Sequence, residues 1–350
     1  MKTFKLLIVT ILVLFFVGCG NKSTTGNDFS LKINNEKKAY KTSDELSVIL
    51  NNKENKELDS VIFYLNSERL RVSEKNNSTT LSLENKKLGI RTITAKIYSE
   101  DKIFETSKNI TILSSIKPKL YTYKILETYP HDIKAYTQGL EFKNDTMYES
   151  TGQYKESSLR KTNYKTGEVL QKVSLSDQYF GEGLTILNDK IYQLTWREKT
   201  GFIYDLETLE KTGTFVYGSS KEGWGLCHDG TNIYKSDGTD RIWILNKETL
   251  AEEDYIEVFT NTSKIKSVNE LEWVDGKIYA NVYEQSAIAI IDPSNGAVEG
   301  VIDLGDLKDN VTQHPDLNVL NGIAYKGEKN ILYVTGKNWD KMFKVEIIEK

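Results

Sequence analysis

The sequence predicts an all-β protein, a five-bladed β-propeller preceded by an immunoglobulin-like β-sandwich. Three observations predict it. A Gly-Leu-like pair followed by a tyrosine-centred strand recurs five times in the C-terminal two-thirds. An Asn or Asp turn marker keeps step with that pair. Before residue 115, short alternating apolar runs follow one another, with turn residues between them. Only 4 prolines, 20 tyrosines and many Val, Ile and Thr suit strands better than helices.

The chain opens on an expected signal peptide, residues 1–19. Lys2 and Lys5 give a basic start, and Leu6 to Val17 is an apolar run too short to span a bilayer comfortably. Val17-Gly18-Cys19 then resembles the lipobox of bacterial lipoproteins, in which the cysteine is acylated and becomes the mature N-terminus. Residues 20–28 are polar, as a tether should be. The expectation is an exported protein, lipid-anchored through Cys19 to a bacterial membrane on its periplasmic or cell-surface side. The other cysteine, Cys227, lies beside Leu226 in a strand-like run and reads as a small buried hydrophobe. A lipidated Cys19 leaves it no disulfide partner.

Residues 29–115 carry the sandwich pattern. Leu46, Val48 and Leu50 alternate with Ser47 and Ile49, and Ile93, Ala95 and Ile97 alternate with Thr94 and Lys96. Strand-like runs fall at 29–33, 45–50, 60–66, 78–83, 90–98 and 102–113. No catalytic constellation is visible there, so a spacer or binding module is expected.

Residues 116–350 carry the repeat. The pairs are Gly139-Leu140, Gly183-Leu184, Gly225-Leu226, Glu270-Leu271 and Gly322-Ile323, at intervals of 44, 42, 45 and 52 residues. The matching tyrosines are Tyr148, Tyr192, Tyr234, Tyr279 and Tyr333. The turn markers are Asn163, Asp205, Asn246 and Asp292. A unit of this length with about four strands is a propeller blade, and blades must stack in a ring to bury both faces. An array of β-sandwiches would not give so regular an interval. The fifth unit runs out at Lys350 before its last strand. Leu120 to Thr128 is expected to supply that strand and close the ring.

The repeat also locates a candidate site. The residue before each pair is Gln138, Glu182, Trp224, Asn269 and Asn321. Equivalent positions in a closed ring face a common axis, so these five should converge on one funnel. A second ring follows fourteen residues on, with Gly152, Trp196, Gly238 and Tyr283, and with Lys337 in the longer fifth unit. Two glycines there leave room. Tyr136 and Phe180 lie two residues before Gln138 and Glu182, and alternation puts them on the same side.

Other chemistries find little support. A net charge of −4 without a basic block gives no footprint for nucleic acid. His131, His228 and His314 each precede an aspartate closely and lack metal-ligand spacing, so hydrogen bonds in turns and loops are expected of them. There is no GxSxG elbow and no P-loop. No metal and no cofactor is expected, and the protein is expected to be a monomer.

The motifs resemble those of the plant-type glutaminyl-peptide cyclotransferases. They are Tyr129-Pro-His-Asp132 with Tyr136-Thr-Gln-Gly-Leu140, Phe180-Gly-Glu-Gly-Leu184, Leu194-Thr-Trp196, Glu222-Gly-Trp-Gly225, Asn269-Glu-Leu-Glu-Trp273, Leu320-Asn-Gly-Ile-Ala324 and Thr335-Gly-Lys337. The resemblance spans residues 121 to 345 and omits the sandwich. It implies a five-bladed propeller without catalytic zinc that converts an N-terminal glutamine to pyroglutamate, releasing ammonia. It implies active-site roles for Tyr136, Gln138, Phe180, Glu182, Trp196, Trp224, Asn269, Tyr283 and Lys337. Tyr136 stands where Phe is common and Tyr283 where Trp is common, while Ile133 and Asp340 replace common prolines.

The expected mechanism makes Glu182 a shuttle, taking a proton from the attacking α-amine and returning it to the leaving group. Aromatic neighbours Trp196, Trp224 and Phe180 should raise its pKa by desolvation. Gln138, Asn269 and Lys337 should hold the amide and stabilise the oxyanion, with Asn321 as a further substrate contact. Two other readings compete with this one. One is a non-catalytic propeller binding a peptide or carbohydrate in the funnel, and the other an adhesion or scaffold protein that uses the sandwich.

Overall fold

The computed structural model describes residues 28–73 and 77–350. The expected signal peptide, lipobox Cys19 and nearly all of the tether lie outside the described residues. The chain divides into two compact units. One comprises residues up to Asn35, Ser47–Leu81 and Thr92–Lys108, and the other Glu36–Leu46, Ser82–Arg91 and Asn109–Lys350.

In the N-terminal third, Phe29–Ile33, Glu45–Asn52 and Ser78–Ser82 form a three-stranded sheet. A five-stranded sheet runs in the order Tyr40–Lys41, Lys102–Leu113, Gly89–Ser99, Ser60–Leu65, Glu68–Ser73. The alternation read from the sequence is the burial seen. Leu46, Val48 and Leu50 are buried, as are Ile93, Ala95 and Ile97. Phe29 of the first sheet meets Phe104 of the second with ring centroids 5.2 Å apart.

The rest of the chain is built from four-stranded antiparallel sheets. Sheet I is Thr137–Lys143, Thr146–Thr151, Ser158–Asn163 and Glu168–Ser174. Sheet II is Gly181–Leu187, Lys190–Thr195, Thr200–Asp205 and Lys211–Val216. Sheet III is Leu226–His228, Ile233–Ser236, Arg241–Leu245 and Glu252–Glu257. Sheet IV is Val268–Val274, Lys277–Val282, Ala287–Ile291 and Val298–Asp303. Sheet V is Leu320–Ala324, Ile331–Gly336, Lys341–Glu349 and, out of sequence, Lys119–Pro130.

The first strand of each sheet packs beside the first strand of the next, and that of sheet V beside that of sheet I, so the inner strands close a ring. Strand Lys119–Pro130 pairs with Lys341–Glu349 from Pro130↔Lys341 to Tyr121↔Glu349, which supplies the strand that the fifth repeat lacks. Its other edge pairs in parallel with Val298–Asp303, a pairing the repeat did not foreshadow, and this joins sheets IV and V.

Both sequence markers have a physical cause. At the marker glycine the inner backbones nearly touch: a Cβ on Gly183 would fall 2.6 Å from Gly225 Cα and from Trp224 O. Where the fourth repeat has Glu270, the carboxylate accepts from Leu140 N at 3.4 Å and Ile323 N at 3.0 Å, tying sheets I and V to sheet IV. The turn markers accept the backbone N–H two residues on, and Asp205 and Asn246 also the one three residues on. Asp205 Oδ1 takes Glu207 N and Thr208 N at 3.0 and 2.8 Å, and Asn246 Oδ1 takes Glu248 N and Thr249 N at 2.9 and 2.8 Å. Buried apolar residues fill the spaces between sheets, as with Leu159, Leu184, Ile186, Phe202 and Tyr204 in sheets I and II. Cys227 is buried in such a cluster.

Candidate active site

The ring opens at one end into a cavity of about 220 Å³. It is lined by Tyr136, Gln138, Phe180, Glu182, Trp196, Trp224, Asn269, Tyr283 and Lys337, together with Gln153. The inner strands and their preceding loops supply Tyr136, Gln138, Phe180, Glu182, Trp224 and Asn269. The chain just after each second strand supplies Trp196, Tyr283 and Lys337.

Asn321 does not line the cavity. It is fully buried behind the wall, where Nδ2 donates to Thr137 O at 2.9 Å and to Gln138 Oε1 at 3.2 Å. Gln138 Nε2 in turn donates to Glu182 Oε1 at 3.0 Å. Asn321 and Gln138 thus form a relay that fixes one carboxyl oxygen of Glu182. The Glu182 backbone is fixed as well, since Ser150 Oγ donates to its carbonyl. Gly152 and Gly238 leave room for aromatic walls rather than for open funnel. A Cβ on Gly152 would fall 2.3 Å from the Phe180 ring, and one on Gly238 2.5 Å from the Trp224 ring.

The aromatic walls brace one another. Phe180 meets Trp196 at 5.5 Å and Tyr136 at 6.1 Å, and Trp224 meets Tyr283 at 5.6 Å edge-on. Lys337 Nζ sits 4.9 Å from the Tyr136 ring centroid and 5.3 Å from that of Tyr283. Asn269 Oδ1 is buried and has no hydrogen-bond partner among the described residues, so it is an acceptor available to a ligand.

Burial pushes the Glu182 carboxyl well above the usual carboxylate range. The Lys337 ammonium opposes that rise, and the Glu222 and Glu198 carboxylates add to it. Burial brings Lys337 down to about 8 against the pull of Glu182. Burial, with Tyr283 and Glu182 nearby, pushes Tyr136 up to about 12. The cavity therefore holds a carboxyl that keeps its proton to higher pH than an exposed glutamate would.

The histidines lie outside the cavity lining. His131 is buried, with Nδ1 donating to Trp339 O at 2.7 Å and Nε2 lying 3.0 Å from Glu149 Oε1. Thr137 Oγ1 donates to the same Glu149 oxygen at 2.8 Å. His314 Nε2 donates to Asn338 O at 2.9 Å, and His228 Nδ1 accepts from Gly230 N at 3.0 Å. Among the described residues no group of three or more His, Cys, Asp or Glu side chains is placed to hold a metal ion.

Two residues at the site are not among the expected site residues, although Glu222 stands in the Glu222-Gly-Trp-Gly225 motif. Gln153 lines the cavity from the hairpin loop after the first sheet's second strand, at φ 87°. That loop belongs to no repeat position, so no pattern marks it. Glu222 accepts from Trp196 Nε1 at 2.8 Å and Trp224 Nε1 at 2.9 Å through one oxygen, Oε2. It lies two residues before Trp224, as Tyr136 does before Gln138 and Phe180 before Glu182, and that spacing was the available signal.

Residues 95–347 match the sequence model of a family described as glutamine cyclotransferase. Over 227 residues the chain is 39% identical to the glutaminyl-peptide cyclotransferase of Arabidopsis thaliana, an alignment covering 64% of this chain and 71% of that protein. The crystal structure of Myxococcus xanthus glutaminyl cyclase matches with a TM-score of 0.62 and 32% identity, over 67% of this chain and 100% of that one.

Proposed function

The chain belongs to the glutamine cyclotransferase family, and we propose that Glu182 is the group that carries the proton in its reaction. The protein is a glutaminyl-peptide cyclotransferase: it converts the N-terminal glutamine of a peptide to pyroglutamate and releases ammonia.

In the proposed mechanism the neutral α-amine of the substrate attacks its own side-chain carbonyl carbon. An α-amino group has an ordinary pKa of about 8, so this form is accessible near neutrality. Attack is intramolecular, and holding the curled conformer against Phe180, Trp196 and Trp224 supplies much of the acceleration. The new C–N bond forms as Glu182 accepts a proton from the amine. The old C–N bond breaks as Glu182 returns that proton to the leaving nitrogen, so ammonia departs and the carboxylate is restored. Lys337 and the Asn269 amide stabilise the oxyanion between the two steps, and Asn269 Oδ1 accepts a substrate N–H. Gln138, held by Asn321, orients Glu182 rather than the substrate. These steps use only side chains of the chain itself.

One observation carries the assignment. Glu182 is the single carboxyl among the cavity-lining residues, and it is buried and hydrogen-bonded there. Glu182→Gln should fold as the parent does and lose about 10²- to 10⁴-fold in turnover of a Gln-initiated peptide, followed by mass spectrometry as loss of one ammonia. Turnover near that of the parent would overturn the assignment.

The finer architecture is also proposed. The closed ring of inner strands supports reading sheets I to V as the blades of a five-bladed propeller. The alternating burial of the N-terminal strands supports an immunoglobulin-like sandwich. The basic Lys2 and Lys5, the apolar run after them and Val17-Gly18-Cys19 support an exported protein anchored to a membrane by lipid on Cys19.

A further inference from the structure

We propose that Glu222 is a positioning residue for this reaction: one carboxylate at the cavity rim sets the orientation of both indole walls against the substrate. The proposal rests on the cavity being the active site, as argued above. Four observations carry it.

First, Glu222 Oε2 is shared. It accepts the indole N–H of Trp196 and of Trp224 at 2.8 and 2.9 Å, although the two rings come from different sheets. Second, the other oxygen is occupied too. Arg197 Nε donates to Oε1 at 3.1 Å, and the Arg197 guanidinium lies 3.6 Å from the Trp196 ring centroid. Third, the backbone of Glu222 is pinned from inside. Lys235, buried without solvent exposure, donates from Nζ to Glu222 O at 2.9 Å. The same Nζ donates to Ser220 Oγ at 2.7 Å and Glu252 Oε1 at 3.0 Å. Fourth, the chain beside Glu222 is closely packed. A Cβ on Gly223 would meet Thr195 O and the Tyr217 hydroxyl at 2.8 Å each.

The physical consequence follows from the tryptophan side chain. Its second torsion is broad and roughly two-fold, so packing alone leaves a choice between two ring orientations. An N–H bond to a fixed acceptor removes that choice. With one acceptor serving both rings, Trp196 and Trp224 are also fixed relative to each other, and the gap between them is where the substrate's first residue must curl. Misplacing such a wall by an ångström is sufficient to cost about a hundredfold in rate. Glu222 also places a negative charge near Glu182 without touching the substrate's reacting atoms.

The test uses the full-length protein with Glu222→Ala and Glu222→Gln. The first readout is the indole N–H region of the ¹H–¹⁵N spectrum, which does not depend on activity. Two of the five tryptophan resonances should move upfield in Glu222→Ala. In Glu222→Gln they should stay closer to the parent, because the amide oxygen still accepts. The second readout is kinetic. The Ala variant should lose about a hundredfold in kcat with a smaller change in KM, and the Gln variant should recover about tenfold of that loss. The third is the pH profile. The Gln variant keeps the acceptor and removes the charge, so the limb belonging to Glu182 should move to lower pH.

Unmoved indole resonances in both variants would overturn the hydrogen-bond clamp. Resonances that move while kcat in Glu222→Ala stays within about threefold of the parent would overturn the positioning role. If Glu182→Gln proves fully active while the Glu222 variants behave as expected, the shuttle assignment fails and the clamp stands.

Discussion

Lys337 is charged in a place that resists charge. Its ammonium is buried over the Tyr136 and Tyr283 rings, and burial brings it to about 8 from an ordinary 10.5. The unfolded chain therefore binds more protons than the folded one between about 8 and 10.5, and over that window stability rises with pH. Below it the folded protein bears the full penalty of the buried cation. Lys337→Met should raise stability at pH 7 by an amount on the order of 1–3 kcal/mol and sharply reduce turnover. Parent activity that depends on the cation should also fall as pH climbs through about 8. Urea unfolding of parent and variant at pH 7, beside a pH–rate profile, checks both. A less stable Met variant would show that the cation–π contacts outweigh burial. At this scale the ring positions of the repeat brought most cavity residues into view. Asn321 shows their limit, because a position facing the axis can point into the cavity or into the layer behind it, and spacing alone does not distinguish these.

The inner strands explain why the repeat is visible at all. Backbones that nearly touch require glycine, and a turn between the third and fourth strands requires an Asx acceptor, so two physical demands recur at a fixed interval. Glu270 breaks the first pattern, and its burial pushes the carboxyl well above the ordinary range, against the two backbone N–H groups it accepts. Glu270→Ala should leave Leu140 N and Ile323 N without an acceptor, at about 1–3 kcal/mol for each N–H so stranded. Urea denaturation measures this loss, and a variant as stable as the parent would mean that water or a shifted backbone replaces the carboxyl. What stayed hidden at this scale was also physical. The strand Glu68–Ser73 is a short edge strand with only two apolar residues, Leu70 and Val72, and the parallel pairing of Lys119–Pro130 with Val298–Asp303 leaves no trace in either segment.

For the whole molecule, the family match begins at residue 95, and the solved bacterial relative is covered completely by 67% of this chain. Chemistry should therefore reside in the C-terminal two-thirds, provided that the ring can close. Closure depends on Lys119–Pro130, which pairs with Lys341–Glu349 along nearly its whole length. Two shortened chains separate these requirements. One starting at Ile116 keeps that strand and should unfold cooperatively, with turnover of a Gln-initiated peptide within about threefold of the parent. One starting at Ala135 lacks it, leaving the edge of Lys341–Glu349 unpaired and the ring one strand short. It should aggregate or unfold, because an exposed edge is a template for pairing with other chains. Calorimetry, size-exclusion chromatography and the peptide assay on both chains give the answer. An active chain starting at Ala135 would mean that four sheets and a three-stranded fifth suffice to hold the cavity. A folded but inactive chain starting at Ile116 would place part of the catalytic machinery before residue 116, where the family match covers only residues 95–115.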